Sequence, residues 1–108
     1  MDDEWPPREA RVQAALWEGE RLLELRAYLA AADALAGVFG IAGEREEHVK
    51  GLHHLAAAGY RAQIGQADRA RRQLERGRRR LAACPESAPL VALVERDIES
   101  AGGELAPP

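Results

Sequence analysis

Cysteine occurs once in these 108 residues, at Cys84, so no intramolecular disulfide can form and a packed core has to hold the fold. Aromatic side chains are few, namely two tryptophans, two tyrosines and one phenylalanine, so leucine, valine and alanine must supply most of that core. Long hydrophobic runs are missing as well. The longest, such as Leu29–Ala32 and Leu55–Gly59, are four or five residues, far short of the ~20 that a membrane span needs. Nowhere do apolar and polar residues alternate as in a half-buried strand, which leaves an all-α class. No charged-then-apolar leader opens the sequence, and the expectation is a soluble, cytoplasmic protein with no membrane partner.

A chain of this length forms one domain and buries roughly 60–65% of the surface it exposes when unfolded. The formal charge of −3 hides a segregated pattern. Residues 1–60 hold 6 basic and 11 acidic side chains (net −5), 61–80 hold 8 and 2 (net +6), and 81–108 hold 1 and 5 (net −4). A basic helix between acidic segments suits a helical bundle whose charges compensate internally, and it also suits a small polyanion-binding face.

Residues 1–7, with Pro6 and Pro7, read as an arm ahead of the first helix, because proline lacks an amide donor and restricts the residue before it. From Arg8 onward Val12, Ala15 and Leu16, then Leu22, Leu25 and Leu29, recur at steps of three and four. A break near Gly19–Arg21 divides them into two helices. Glu20 is a good helix former, so one continuous helix is the alternative. The second helix runs to about Phe39, where GVFGIAG ends it. A third, from Glu44 to Ile64, carries the stripe Val49, Leu52, Ala56, Tyr60 and Ile64 and stops at Gly65. Its internal Gly51 and Gly59 lower helix propensity, which implies close approach of a neighbouring backbone and a central position. A fourth, about Gln66 to Ala83, gathers Ala67, Ala70, Leu74, Gly77 and Leu81 in one arc with every arginine outside it. The last starts near Ser87, buries Leu90, Val91, Val94 and Ile98, and stops at Gly102–Gly103. The expected domain is 8–101, with a frayed tail at 102–108.

LWEGERLLELRAYL (Leu16–Leu29) and GLHHLAAAGYRAQIGQADRARRQL (Gly51–Leu74) together resemble the small, all-helical prokaryotic proteins grouped as domain of unknown function 309. In that family a second helix carries a glycine, two aromatics and an E-x-H-E core, and a third opens on Q-G-[LIV] and ends in an Ala-rich stretch, a histidine and a G-[NR] turn. Here Gly51–Leu52 match the third-helix signature with Lys50 in place of glutamine, Ile64–Gly65–Gln66 match the turn, and Glu24 matches the first glutamate. The family's second-helix histidine and glutamate fall on Arg26 and Ala27, its glycine on Glu20, and its third-helix histidine on Tyr60. What the resemblance implies is a pocket between helices two and three, marked by Trp17, Glu24, Arg26 and Tyr60, and no particular reaction. The Gly65, Ala70, Leu74, Gly77 spacing is also similar to the second helix of a tetratricopeptide repeat. Only one such unit is visible, whereas solenoids need about three, so residues 44–83 read as a TPR-like helical hairpin in an array of about five helices.

His48, His53 and His54 invite a metal reading, but two ligands on one helix face need a spacing of three or four, and these are separated by five, six and one. Cys84, at the negative end of helix four, has no evident partner and reads as inert. No metal and no cofactor is expected. Glu24 alone lacks the second group that acid–base work requires, so surface pairing with Arg21 is the simpler account and no catalytic residue is assigned. At about 100° per residue, Arg69, Arg72, Arg76, Arg79 and Arg80 share one face, a candidate anion site. The helix has no aromatics for base stacking and the chain is acidic overall, so nucleic acid is not the expected partner. Trp17 is expected in the core. Trp5, on the arm, either folds back or anchors a second subunit. The resulting expectation is a non-catalytic interaction or structural module that pairs with itself as a homodimer or with another protein. The alternatives are a degenerate carboxylate/histidine site, metal-binding or enzymatic, and polyanion binding through residues 66–83.

Overall fold

The computed structural model describes residues 5–105, with side chains for residues 5–101. It contains five α-helices: α1 (Arg8–Glu24), α2 (Tyr28–Ala36), α3 (Glu46–Gln63), α4 (Ala67–Arg80) and α5 (Ala88–Leu105). No strand occurs among the described residues, and the helices pack as an all-α bundle. Residues 1–4 of the expected arm and 106–108 of the expected tail lie outside the described part.

Helix α1 buries Val12, Ala15, Leu16, Gly19 and Leu23, a single stripe at helical spacing. It does not break at Gly19–Arg21. Gly19 faces α2 instead, where a β-carbon would come within 2.7 Å of the Leu35 side chain. The glycine there makes room for a leucine and does not end the helix. The chain turns seven residues later, at Arg26, whose φ of +59° is left-handed. Arg26 N–H donates to Leu23 O and Ala27 N–H to Leu22 O, both at 2.9 Å, which is the paired bonding of a Schellman C-cap. The same motif closes α3, where Gly65 N–H reaches Ala62 O at 3.1 Å and Gln66 N–H reaches Arg61 O at 2.8 Å. There the left-handed residue is Gly65, the residue type that adopts this conformation freely.

Arg26 tolerates its conformation because it is bound on several sides. Its Nε donates to Asp97 of α5 at 2.8 and 3.0 Å, and its carbonyl accepts from Gln63 Nε2 at 3.2 Å. Asp97 also accepts from the Tyr28 hydroxyl at 2.5 Å. Tyr28 is 1% exposed. Burial first, and the bond to Asp97 second, hold its phenol far above the usual range. One carboxylate of α5 thus fixes both the end of α1 and the start of α2.

Helix α3 is the central element, with neighbours α4, α2, α5 and α1. Val49, Leu52, Leu55, Ala56 and Ala58 are fully buried, whereas Ile64, expected on the same stripe, is 46% exposed because the helix has already ended. The internal glycines admit side chains more than backbone. A β-carbon on Gly59 would lie 2.5 Å from the Tyr28 ring, and one on Gly51 would lie 2.6 Å from Leu81. Backbone approach occurs at Gly77 of α4, 3.2 Å from the Gly51 carbonyl by the same measure. Ahead of α3, the Glu46 carboxylate accepts from Gly40 N–H at 3.0 Å and Ala42 N–H at 3.2 Å. These bonds, that from Gly40 foremost, hold its carboxyl below the ordinary value.

Between α4 and α5 the chain makes two successive 3-10 turns, Leu81–Ala83 and Pro85–Ser87. Cys84 N–H donates to Leu81 O at 2.8 Å and Ser87 N–H to Cys84 O at 3.0 Å. Leu90, Val94 and Ile98 of α5 enter the core. The helix passes through Gly102 and Gly103 to Leu105 instead of stopping at them.

Candidate functional site

Two surfaces gather chemically active side chains. The first is α4. Its buried arc is Ala70, Leu74 and Gly77, continued by Leu81, and the arginines lie outside it. They do not behave alike. Arg78 bonds Glu95 of α5 at 2.5 Å and lies 3.8 Å from Glu75. Arg80 bonds Glu47 of α3 at 2.5 Å, and Arg71 lies 3.7 Å from Asp68. Arg69, Arg72, Arg76 and Arg79 are exposed and have no carboxylate partner among the described residues. These four stand at steps of three, four and three, so they form one line roughly 15 Å long. Arg80, counted on this face from the sequence, is paired with Glu47, and both line the same groove as Arg76 and Arg79.

The line borders two open grooves, one reached by Arg76, Arg79 and His54, the other by Arg69 and Arg72 beside the α3–α4 turn. His54 Nδ1 is 2.8 Å from Gln73 Oε1, which fixes the imidazole against α4. Among the described residues α4 itself carries no aromatic side chain.

The second surface lies where α1, the first turn of α3 and the 3-10 connector meet. His48, Cys84 and Glu86 each bring a donor atom to within 4.8 Å of the others. His48 Nε2 is 3.2 Å from the Ser87 hydroxyl and 3.9 Å from Glu20 Oε2. Ser87 is only 1% exposed, so its hydroxyl is a fixed point for the ring. Burial, and the Glu86 carboxylate after it, raise the Cys84 thiol above its ordinary value. Trp17, Glu20, His48, Cys84 and Glu86 line one open groove of about 450 Å³.

Trp17 is therefore not a core residue. It is 62% exposed, because it lies roughly 145° around α1 from the centre of the buried stripe. The Arg21 guanidinium covers its ring, 4.9 Å from the centroid. Trp5 is 88% exposed and does not fold back onto the helices. Glu24 faces solvent, Tyr60 is half-buried, and Arg26 is engaged by Asp97. Cys84, Glu86 and Glu20 formed no part of the sequence-derived site. They come from segments more than sixty residues apart, and the only local signal is the Cys-Pro-Glu sequence, which sets two donors on one tight turn.

The chain is thus a small five-helix protein with a basic helix face and a His/Cys/Glu corner on its surface. No helix among the described residues is long and apolar enough to cross a membrane. No protein-family model matches it, and no curated protein or solved structure does so significantly.

Proposed function

We propose that this protein is a non-catalytic interaction module that binds an acidic helical segment of a partner protein along Arg69, Arg72, Arg76 and Arg79. The observation that carries this reading is selective neutralisation. Arg71, Arg78 and Arg80 on the same helix are matched by carboxylates, and among the described residues this line of four has none. Like charges three and four residues apart repel and weaken a helix, so the unmatched line is a cost that an anionic partner removes. Its spacing follows one face of a helix, the spacing at which a second helix presents carboxylates. The absence of aromatics from α4 and the acidic balance of the chain argue against nucleic acid, whose binding draws on base stacking and on net attraction to phosphates.

The test is fluorescence anisotropy with a labelled helical peptide bearing glutamates at three- and four-residue steps, run beside a single-stranded oligonucleotide of equal charge. The peptide should bind in a salt-sensitive manner, and the double variant Arg72→Glu/Arg76→Glu should abolish the signal. Tighter binding of the oligonucleotide, or peptide binding that survives the double variant, would refute the reading.

A further inference from the structure

From the corner described above we infer that His48, Cys84 and Glu86, with Glu20 on the facing helix, form a binding site for a late first-row divalent transition cation, of which zinc fits the donors best. The donor set is one imidazole, one thiol and one or two carboxylates. Sulfur and nitrogen together select against magnesium and calcium, which take oxygen alone, and favour zinc, cobalt or copper.

The geometry is already close. Zinc bonds of about 2.0–2.3 Å at tetrahedral angles put neighbouring donor atoms roughly 3.3–3.8 Å apart. The three primary donors lie within 4.8 Å of one another, so side-chain torsions alone close the difference. Glu20 Oε2 lies 3.9 Å from His48 Nε2, outside the group of three, and the fourth position falls to it or to a water molecule.

The backbone sets the donors. His48 sits in the first turn of α3, and its Nε2, 3.2 Å from the buried Ser87 hydroxyl, exchanges that contact for the ion. Cys84 and Glu86 are set two residues apart by the consecutive 3-10 turns. On binding, the Cys84 S–H proton passes to solvent and the sulfur coordinates as thiolate, the form in which cysteine binds metals. The thiolate and the Glu86 carboxylate then balance a doubly charged ion, and Glu20 adds a further negative charge. The ion would tie α1, α3 and the 81–87 connector together beside the Arg45–Gln13 bond that already links α1 to the start of α3.

The experiment uses the full chain, reduced and stripped of metal, titrated with cobalt(II) chloride. One equivalent per chain should develop a thiolate-to-cobalt charge-transfer band in the near ultraviolet and intense visible bands of four-coordinate cobalt, all erased by zinc. Cys84→Ala should remove the charge-transfer band. His48→Ala and Glu86→Gln should each weaken binding by roughly tenfold or more, while His53→Ala leaves it unchanged. Circular dichroism confirms that each variant is folded, and Glu86→Gln, at an exposed position, decides the matter if Cys84→Ala is not. A titration without a charge-transfer band, a band that persists in Cys84→Ala, or affinity unaltered by Glu86→Gln would overturn the assignment.

Discussion

A β-carbon on Gly59 would stand 2.5 Å from three carbons of the Tyr28 ring, and that ring cannot withdraw while Asp97 holds its hydroxyl. Gly51 is crowded to a similar degree, but by Leu81, an aliphatic side chain with no hydrogen bond to hold it in place. Gly59→Ala should therefore lower unfolding free energy by about 1–3 kcal/mol in a denaturant titration, and Gly51→Ala by less. Equal losses would mean that the ring yields as readily as the leucine. The glycines of α3 were legible in the sequence as sites of close packing. What they admit was not, because a missing side chain says nothing about whether backbone, leucine or tyrosine fills the gap. Trp17 failed for a related reason. Size argued for burial, but the narrow stripe of α1, filled by Val12, Leu16 and Leu23, decided which way the ring points.

At the level of helices, the contrast between the two Schellman turns explains which boundaries the sequence disclosed. Gly65 announces the end of α3. Arg26 ends α1 in the same backbone geometry without any residue that advertises it, whereas Gly19, the visible helix breaker, lies inside the helix. An arginine in the left-handed region is sustained by Asp97 and Gln63, partners 71 and 37 residues away, which no local pattern can foresee. Replacing Arg26 tests this separation of backbone and side chain. Arg26→Ala keeps the steric penalty and loses the ion pair, whereas Arg26→Gly loses the pair and relieves the penalty. The glycine variant should be the more stable of the two by urea denaturation, and the reverse order would mean that the turn carries no strain. Helix α4, by contrast, was legible almost residue by residue, since its charge pattern and its apolar arc share one period. Only the neutralisation of Arg80 by Glu47 needed the neighbouring helix to be seen.

For the molecule as a whole, protons should act at two places that are distinct on the acid side of the pH scale. His53 packs edge-on against Phe39, ring centroids 4.9 Å apart. Burial first, then the neighbouring His54, lowers its pKa below the ordinary 6.5, with Asp33 opposing. The folded chain therefore binds this proton less readily than the unfolded one. Its contribution to stability is complete above pH 6.5 and declines as pH falls from there towards the folded value. Glu46, also depressed, adds a second loss only below pH 4.5. Urea midpoints measured across this range should fall in two stages, and His53→Phe should flatten the upper one. An unchanged upper slope in that variant would assign it elsewhere. The all-α class and the order of the helices could be read from periodicity alone. The His48, Cys84, Glu86 corner could not, because its donors meet only after α1, α3 and the connector have docked. Asp97 has a consequence of the same kind for the nascent chain. Since the bend after α1 leans on a carboxylate 71 residues further along, the α1–α2 hairpin stays provisional during translation and locks only when α5 has cleared the ribosome.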